Sequence, residues 1–249
     1  MIEELKIELT DVGYSRQEEL TFAECDKNER VRVAALLSKI ALFGGYDYDA
    51  RGITREVLLE MGYAFLLSRV AMRLHSCPKY GDVLTVQTWE NGAKGAHMQR
   101  VFKMYDQNGR LCVSARSDWI LVDPVSHKIL RPRGFTDTAL TGCPEEIDCP
   151  NPGKIALPKE GLEELGSRKV VWSDLDGNGH LYSGNYGDIV WDYLPCDLQE
   201  RTPVEFYINY SKEARMGDML ELRGVRGEGD YRVEGMGASG TCFTARIVY

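Results

Sequence analysis

Trp172-Ser-Asp174-Leu-Asp176-Gly-Asn178-Gly-His180-Leu-Tyr-Ser-Gly-Asn185-Tyr186 is a Gly-rich, turn-forming segment that carries two carboxylates, an amide and one of the four histidines in the chain. An apolar helical pattern follows, with Ile189, Val190, Tyr193 and Leu194 on one side and Pro195 as its stop. Presenting Asp, Asn and His at alternating positions beside a helix start assembles the parts of a hydrolytic site. Imidazole moves a proton near neutral pH, a carboxylate orients it, and an amide holds a polar substrate atom. The same Asp and Asn can equally bond their own backbone in a turn, so the motif needs its context.

That context is the block Asn209-Tyr-Ser-Lys-Glu213-Ala-Arg-Met-Gly217-Asp218 downstream. Together the two segments resemble the acyl-acyl-carrier-protein thioesterases of plants and bacteria. There an Asp-x-Asn-x-His motif precedes the second long helix, and a Glu before a Gly-Asp turn completes the site. The resemblance implies that Asp176, Asn178, His180 and Glu213 are the catalytic set. Many members carry Cys directly after that Glu, whereas this chain has Ala214, which argues against an obligatory Cys nucleophile. Earlier in the chain, Tyr63 to Arg73 and then Pro78-Lys-Tyr-Gly81-Asp82-Val-Leu-Thr-Val-Gln-Thr-Trp89 look like the family's helix, Gly-Asp turn and strand ending in Trp. Ser117-Asp-Trp119-Ile-Leu-Val-Asp123 with Lys128-Ile-Leu-Arg131-Pro132 is similar to the last strand of its first domain.

The pattern is duplicated. Val33, Leu36, Leu37, Ile40 and Ala41 recur at helical spacing over about 29–43. Strand-like runs follow at 83–90, 97–106 and 111–123, the last two joined by the turn signal Asp106-Gln-Asn108-Gly109. In the second half the helix at 184–194 precedes strands near 203–212, 218–226, 231–239 and 239–248. A helix and an antiparallel meander, occurring twice, predict an α+β tandem (double) hotdog, two antiparallel sheets each wrapping a long helix. The expected organisation is an N-terminal hotdog over 1–133, a linker over 134–166 and a C-terminal hotdog over 167–249 that carries the catalytic residues. Asp26-Lys-Asn28-Glu-Arg30 matches Asp176-Gly-Asn178-Gly-His180, and Cys77 lies as far before Asp82 as Glu213 lies before Asp218. An extra segment near Gly44–Val57 accounts for the longer first half. The first unit lacks both His and Glu, so one chain should carry one site. Asp26 and Asn28 then read as helix-start caps.

Composition bounds the function. The chain has 249 residues, a hydrophobic content of 43% and a net charge of −8, enough for a packed core and unlike a general nucleic-acid binder. No run approaches the roughly 18 apolar residues of a membrane span. The start, Met-Ile-Glu-Glu-Leu-Lys, resembles neither a secretory signal nor a transit peptide, and this points to a bacterial cytosolic protein. The seven cysteines are odd in number and include no Cys-x-x-Cys pair, in keeping with a reducing compartment.

The resemblance implies that the chain hydrolyses fatty acyl-acyl carrier protein, releases free fatty acid and so ends chain elongation, with no metal or cofactor. Its partner would be an acyl carrier protein bearing a phosphopantetheine-linked acyl chain. Glu213 would act on water as base, with His180 protonating the leaving thiolate, Asp176 setting the His tautomer and Asn178 positioning the carbonyl or the water; a covalent route, in which a carboxylate attacks to give an anhydride, is the alternative. Backbone N–H groups at the start of the second helix could form the oxyanion hole. The acyl chain would lie in the first hotdog, with Val33, Leu37, Phe65, Leu66 and Met72 as liners. Because the carrier is acidic, docking needs a local basic patch. Lys128, Arg131 and Arg133 are one candidate, and Arg51 with Arg55 another. An acyl-CoA or aryl-CoA thioesterase and a non-catalytic acyl-binding module are the alternatives. A homodimer is open, and chain-length preference does not follow from the residues.

Overall fold

The computed structural model describes residues 5–11, 13–132, 135 and 146–249. In chain order its elements are β1 (Ile7–Leu9), β2 (Tyr14–Glu19), α1 (Val33–Ala50), α2 (Arg55–Glu60), β3 (Ala64–Leu74), β4 (Val83–Lys94), β5 (His97–Tyr105) and β6 (Leu111–Val122). Then come β7 (Glu163–Lys169), α3 (Asn185–Asp192), α4 (Cys196–Gln199), β8 (Glu205–Tyr210), β9 (Met219–Arg226), β10 (Asp230–Gly237) and β11 (Gly240–Val248). Every described strand pairing is antiparallel, in one sheet of order β1-β2-β4-β5-β6-β3-β8-β11-β10-β9-β7. Read outward from the β3–β8 junction, β6, β5, β4 and β2 on one side correspond to β11, β10, β9 and β7 on the other.

Helix α1 forms where Val33, Leu36, Leu37, Ile40 and Phe43 repeat at helical spacing, and each is 5% exposed or less. These side chains join those of β2 to β6, β8 to β11 and α3 in one core. Helix α3 crosses α1 at a close approach. A Cβ on Gly187 would sit 2.7 Å from the Ala34 nitrogen and 2.8 Å from its Cα, so no larger residue fits there. Strand β9 shows the two-residue period of a half-buried strand, with Leu220 and Leu222 buried between exposed Met219 and Glu221.

Several expectations change. The first helix does not end at residue 43 but runs to Ala50. Gly44 and Gly45 do not break it, because the next turn is anchored by Asp47, fully buried and paired with Arg100 and Arg51 at 2.8 Å each. The extra length of the first half is therefore mostly a longer helix, 18 residues in α1 against 8 in α3. The second helix is correspondingly not a long one. Residues 63–73, expected as helix from the resemblance, form the strand β3. β3 is central, hydrogen-bonded to β6 on one side and β8 on the other, and it is covered on its outer face as well. There the segment 147–156 crosses the sheet. The Ser114 hydroxyl donates to the Asp148 carbonyl, Ile155 N–H donates to Asn209 Oδ1 at 2.8 Å, and Asn209 Nδ2 donates to the Gly153 carbonyl at 2.9 Å. A strand buried on both faces loses its alternation. β7 begins at Glu163, inside the stretch expected as linker.

Candidate active site

The loop before α3 is built by Asp176. Its Oδ1 accepts hydrogen bonds from the backbone N–H of Asn178 at 2.8 Å and of His180 at 3.1 Å, while its own N–H donates to the His180 carbonyl at 2.8 Å. Gly179 completes the turn in the left-handed region, at φ 78°. The loop then docks on the segment after β8. Leu181 N–H donates to the Ala214 carbonyl at 2.8 Å, and His180 faces Arg215 across an isolated antiparallel bridge. The Gly217-Asp218 turn holds that segment, with Asp218 Oδ2 accepting from Arg215 N–H at 2.8 Å. As a result His180 Nε2 lies 3.0 Å from Glu213 Oε2. Arg215 also reaches Glu213 Oε2, at 3.4 Å. His180 and Glu213 side chains retain 23% and 38% exposure, so water reaches both.

Asn178, His180 and Glu213 line a cavity of about 600 Å³. Its other walls come from the first half: the α1 face Ala41, Gly44, Gly45 and Tyr48, the α2 residues Arg55, Leu58 and Leu59, and Phe65, Leu66, Met98 and Trp119 of the sheet. Arg55 Nη2 donates to Asn178 Oδ1 at 3.2 Å. A guanidinium only donates, so the amide oxygen must face it and the amide N–H₂ is left for the cavity.

The expected site residues thus divide. Asn178, His180 and Glu213 are brought together, and Phe65 and Leu66 do line the cavity. Leu37 and Met72 do not; both are fully buried core residues at 0% exposure. Val33 lines a different cavity, described below. Asp176 does not reach the imidazole to set its tautomer. Its Oδ1 accepts from two loop amides, and the imidazole Nε2 lies against Glu213 instead. The first turn of α3 is not among the residues that line this cavity. Lys128 and Arg131 are exposed beside Pro124 and His127, which line the cavity; Arg133 lies outside the described residues. Arg55, expected as a docking cation, and His127 line the cavity with them, a placement that no local spacing encodes.

The first half repeats this construction without the chemistry. Asp26 Oδ1 accepts from Asn28 N–H at 2.8 Å and Arg30 N–H at 2.9 Å, and Glu29 takes the left-handed place of Gly179 at φ 61°. Val31 N–H donates to the Pro78 carbonyl as Leu181 does to Ala214, and Asp82 Oδ2 caps Lys79 as Asp218 caps Arg215. Arg30 stands for His180 and Cys77 for Glu213, and both line a second cavity of about 450 Å³ together with Val33. Arg30 is consumed structurally. It bonds Asp26 Oδ2 through Nε at 2.9 Å and the Glu200 carbonyl through Nη1 at 2.8 Å.

Comparison with known proteins agrees with this architecture. The acyl-ACP thioesterase N-terminal domain model matches residues 11–132, and the C-terminal domain model matches residues 161–233. An acyl-ACP thioesterase from Bacteroides thetaiotaomicron superposes with a TM-score of 0.86 at 23% identity, covering 96% of this chain and 99% of that one. A 12:0-ACP thioesterase from Umbellularia californica gives 0.81 at 15% identity, covering 97% and 98%. The fold is therefore of the hotdog type, a mostly antiparallel sheet with few helices. The chain belongs to the acyl-ACP thioesterase family. The oleoyl-acyl carrier protein thioesterase 1 of Arabidopsis thaliana is 19% identical over 239 residues, which cover 86% of this chain and 64% of that protein. The palmitoyl-acyl carrier protein thioesterase of the same plant is 22% identical over 195 residues, 70% of this chain and 43% of that protein.

Proposed function

We propose that the protein is a thioester hydrolase that cleaves fatty acyl-acyl carrier protein to free fatty acid and carrier thiol. The observation that carries this reading is the His180–Glu213 pair, 3.0 Å apart in the wall of an otherwise largely apolar cavity. The architecture behind it is a tandem hotdog, with residues 1–133 supplying the acyl chamber, a linker that ends before β7 at Glu163, and the remainder supplying the reacting groups. The pseudo-twofold strand order about the β3–β8 junction supports that division. The chain acts in the cytoplasm, a reducing compartment in keeping with its free described cysteines.

A thioester carbonyl is electrophilic and its thiolate leaves readily, so the protein has to align water, accept its proton and stabilise the oxyanion. Glu213 takes the proton as the water oxygen bonds to the carbonyl carbon. The amide N–H₂ of Asn178, turned toward the cavity by Arg55, donates to the developing oxyanion. The carbon–sulfur bond then breaks, His180 gives a proton to the departing thiolate, and Glu213 restores that proton to His180. Asp176 holds the loop and takes no part in proton transfer.

The test is release of carrier thiol from acyl-carrier protein, followed with a thiol reagent. His180→Ala and Glu213→Gln should each lower kcat by roughly 10²–10⁴-fold, the usual range for positioned acid–base groups. A folded His180→Ala protein with full activity overturns the assignment. Equal kcat/KM on the matched acyl-CoA would replace the carrier with CoA as the recognised group.

A further inference from the structure

The cavity is polar at two depths. Near its mouth lie exposed Arg55 and Asn178 with the half-exposed His180 and Glu213. Its most buried charged lining residues are Arg100, 2% exposed, and Glu90, 4% exposed, carried by partnered positions of β4 and β5. Arg100 bonds Asp47 Oδ2 through Nη1 and Glu90 Oε1 through Nη2, both at 2.8 Å. The Tyr48 hydroxyl donates to the same Glu90 oxygen at 2.5 Å, and the Arg100 guanidinium carbon lies 4.9 Å from the Tyr48 ring centroid. Tyr48 also stacks on Phe65, with ring centroids 5.5 Å apart and planes at 15°. The remaining walls are mostly apolar, among them Leu58, Met98 and Trp119.

We propose that the Asp47–Arg100–Glu90–Tyr48 cluster is the end stop met by the far end of the acyl chain, so that substrate length has an abrupt upper limit. The proposal rests on the thioesterase reading above. A wall of aliphatic side chains repacks when one more methylene presses on it, and preference then declines by degrees. This wall cannot give in that way. Its charges are buried and matched to one another, Arg51 included, and moving Arg100 would separate it from two carboxylates at a buried position. Tyr48 is fixed by a ring on one side, a guanidinium on another and a carboxylate at its hydroxyl. Burial and the neighbouring Glu90 charge hold that hydroxyl well above its ordinary pKa, so it remains a donor.

The face of α1 sets how much room lies before the stop. A Cβ at Gly44 would meet Arg100 Cδ at 3.4 Å, whereas a Cβ at Gly45 would meet nothing within 4 Å. Gly44 therefore rests on the cluster, and Gly45, itself exposed, lines the cavity at a position with room for a side chain. A side chain at Gly45 should occupy space that substrate uses, and truncation of Tyr48 should deepen the cavity.

The experiment measures kcat/KM on acyl-carrier substrates that lengthen two carbons at a time, for the unmodified protein, Gly45→Val and Tyr48→Ala. Displacement of a fluorescent fatty acid by fatty acids of the same lengths gives a second readout independent of turnover. The unmodified protein should show one step at which kcat/KM and affinity both fall by roughly tenfold or more. Gly45→Val should move that step to shorter chains, and Tyr48→Ala to longer ones. Gly45→Val adds volume at an open helix position, so it decides the matter even if Tyr48→Ala does not fold. A smooth decline with length, or a step that Gly45→Val leaves in place, overturns the proposal. A protein that binds fatty acids with the expected step but hydrolyses no carrier thioester overturns the thioesterase reading and leaves the end stop standing.

Discussion

Arg55 of α2 holds the side-chain oxygen of Asn178 at 3.2 Å, so a residue of the first half orients an amide of the second. If that amide donates to the oxyanion, Arg55 acts on the chemical step without touching substrate. Arg55→Ala should lower kcat by about tenfold, less than the roughly 10²–10³-fold expected for removing an oxyanion donor itself. Arg55→Lys, which still donates, should recover part of the loss. Steady-state kinetics separate this from a docking role, which would raise KM for the carrier substrate and leave kcat alone.

Arg30 occupies the place of His180 in the other half and serves as a clasp. Its bonds to Asp26 and to the Glu200 carbonyl tie the first-half loop to the end of α4. Arg30→Ala should therefore cost stability, about 1–3 kcal/mol for lost charge-assisted hydrogen bonds, and leave kcat nearly unchanged. Denaturant unfolding paired with the thiol-release assay measures both. A large fall in kcat with unchanged stability would show that the first-half loop takes part in chemistry.

Thiol reagents should not stop turnover. Burial pushes the Cys77 thiol up to about 11 and the Cys149 thiol up to about 12, so at neutral pH both are protonated and poor nucleophiles. Among the described cysteines Cys196 is exposed and should react first. Mass spectrometry after brief maleimide treatment at pH 7 should find Cys196 labelled, with most activity retained. Complete inactivation tracking the labelling of Cys77 would require a thiol in the mechanism.

Carrier docking should depend on local charge, since repulsion between two acidic proteins is largely screened beyond roughly 8 Å at physiological salt. Lys128 and Arg131 stand exposed near the loop that lines the cavity. Reversing both to Glu should raise KM for acyl-carrier protein several-fold and spare a short acyl-N-acetylcysteamine. Equal losses on the two substrates would make these residues structural.

The candidate site was legible because its segments are local. Asp176, Asn178 and His180 lie within one turn, and Glu213 sits beside a recognisable Gly-Asp corner. The strands β4 to β6 and β8 to β11 were legible from alternation and turn chemistry. What escaped is what the sheet and the cavity bring from far away. The run 64–74 hides a strand because Val70, Ala71 and Met72 are buried in succession, between the core and the crossing segment 147–156, and the alternation is lost there. Gly44-Gly45 reads as a helix stop until buried Asp47 is seen to pair with Arg100 fifty-three residues later. Val33, Leu37 and Met72 match any apolar liner in composition, and only depth tells a core residue from a cavity wall.

The junction of β3 with β8 bears on how the chain is made. β3 pairs with β6 from its own half and with β8 from the other, so an emerging first half has one ladder of backbone groups with no partner. At roughly 5–20 residues per second, β8 leaves the ribosome on the order of ten seconds after β3. For that interval the nascent chain presents the long inner edge of an incomplete sheet, the kind of surface that recruits other strands. Until residue 210 is available this edge, Arg69 to Arg73, stays open, and the yield of folded protein should depend on translation speed.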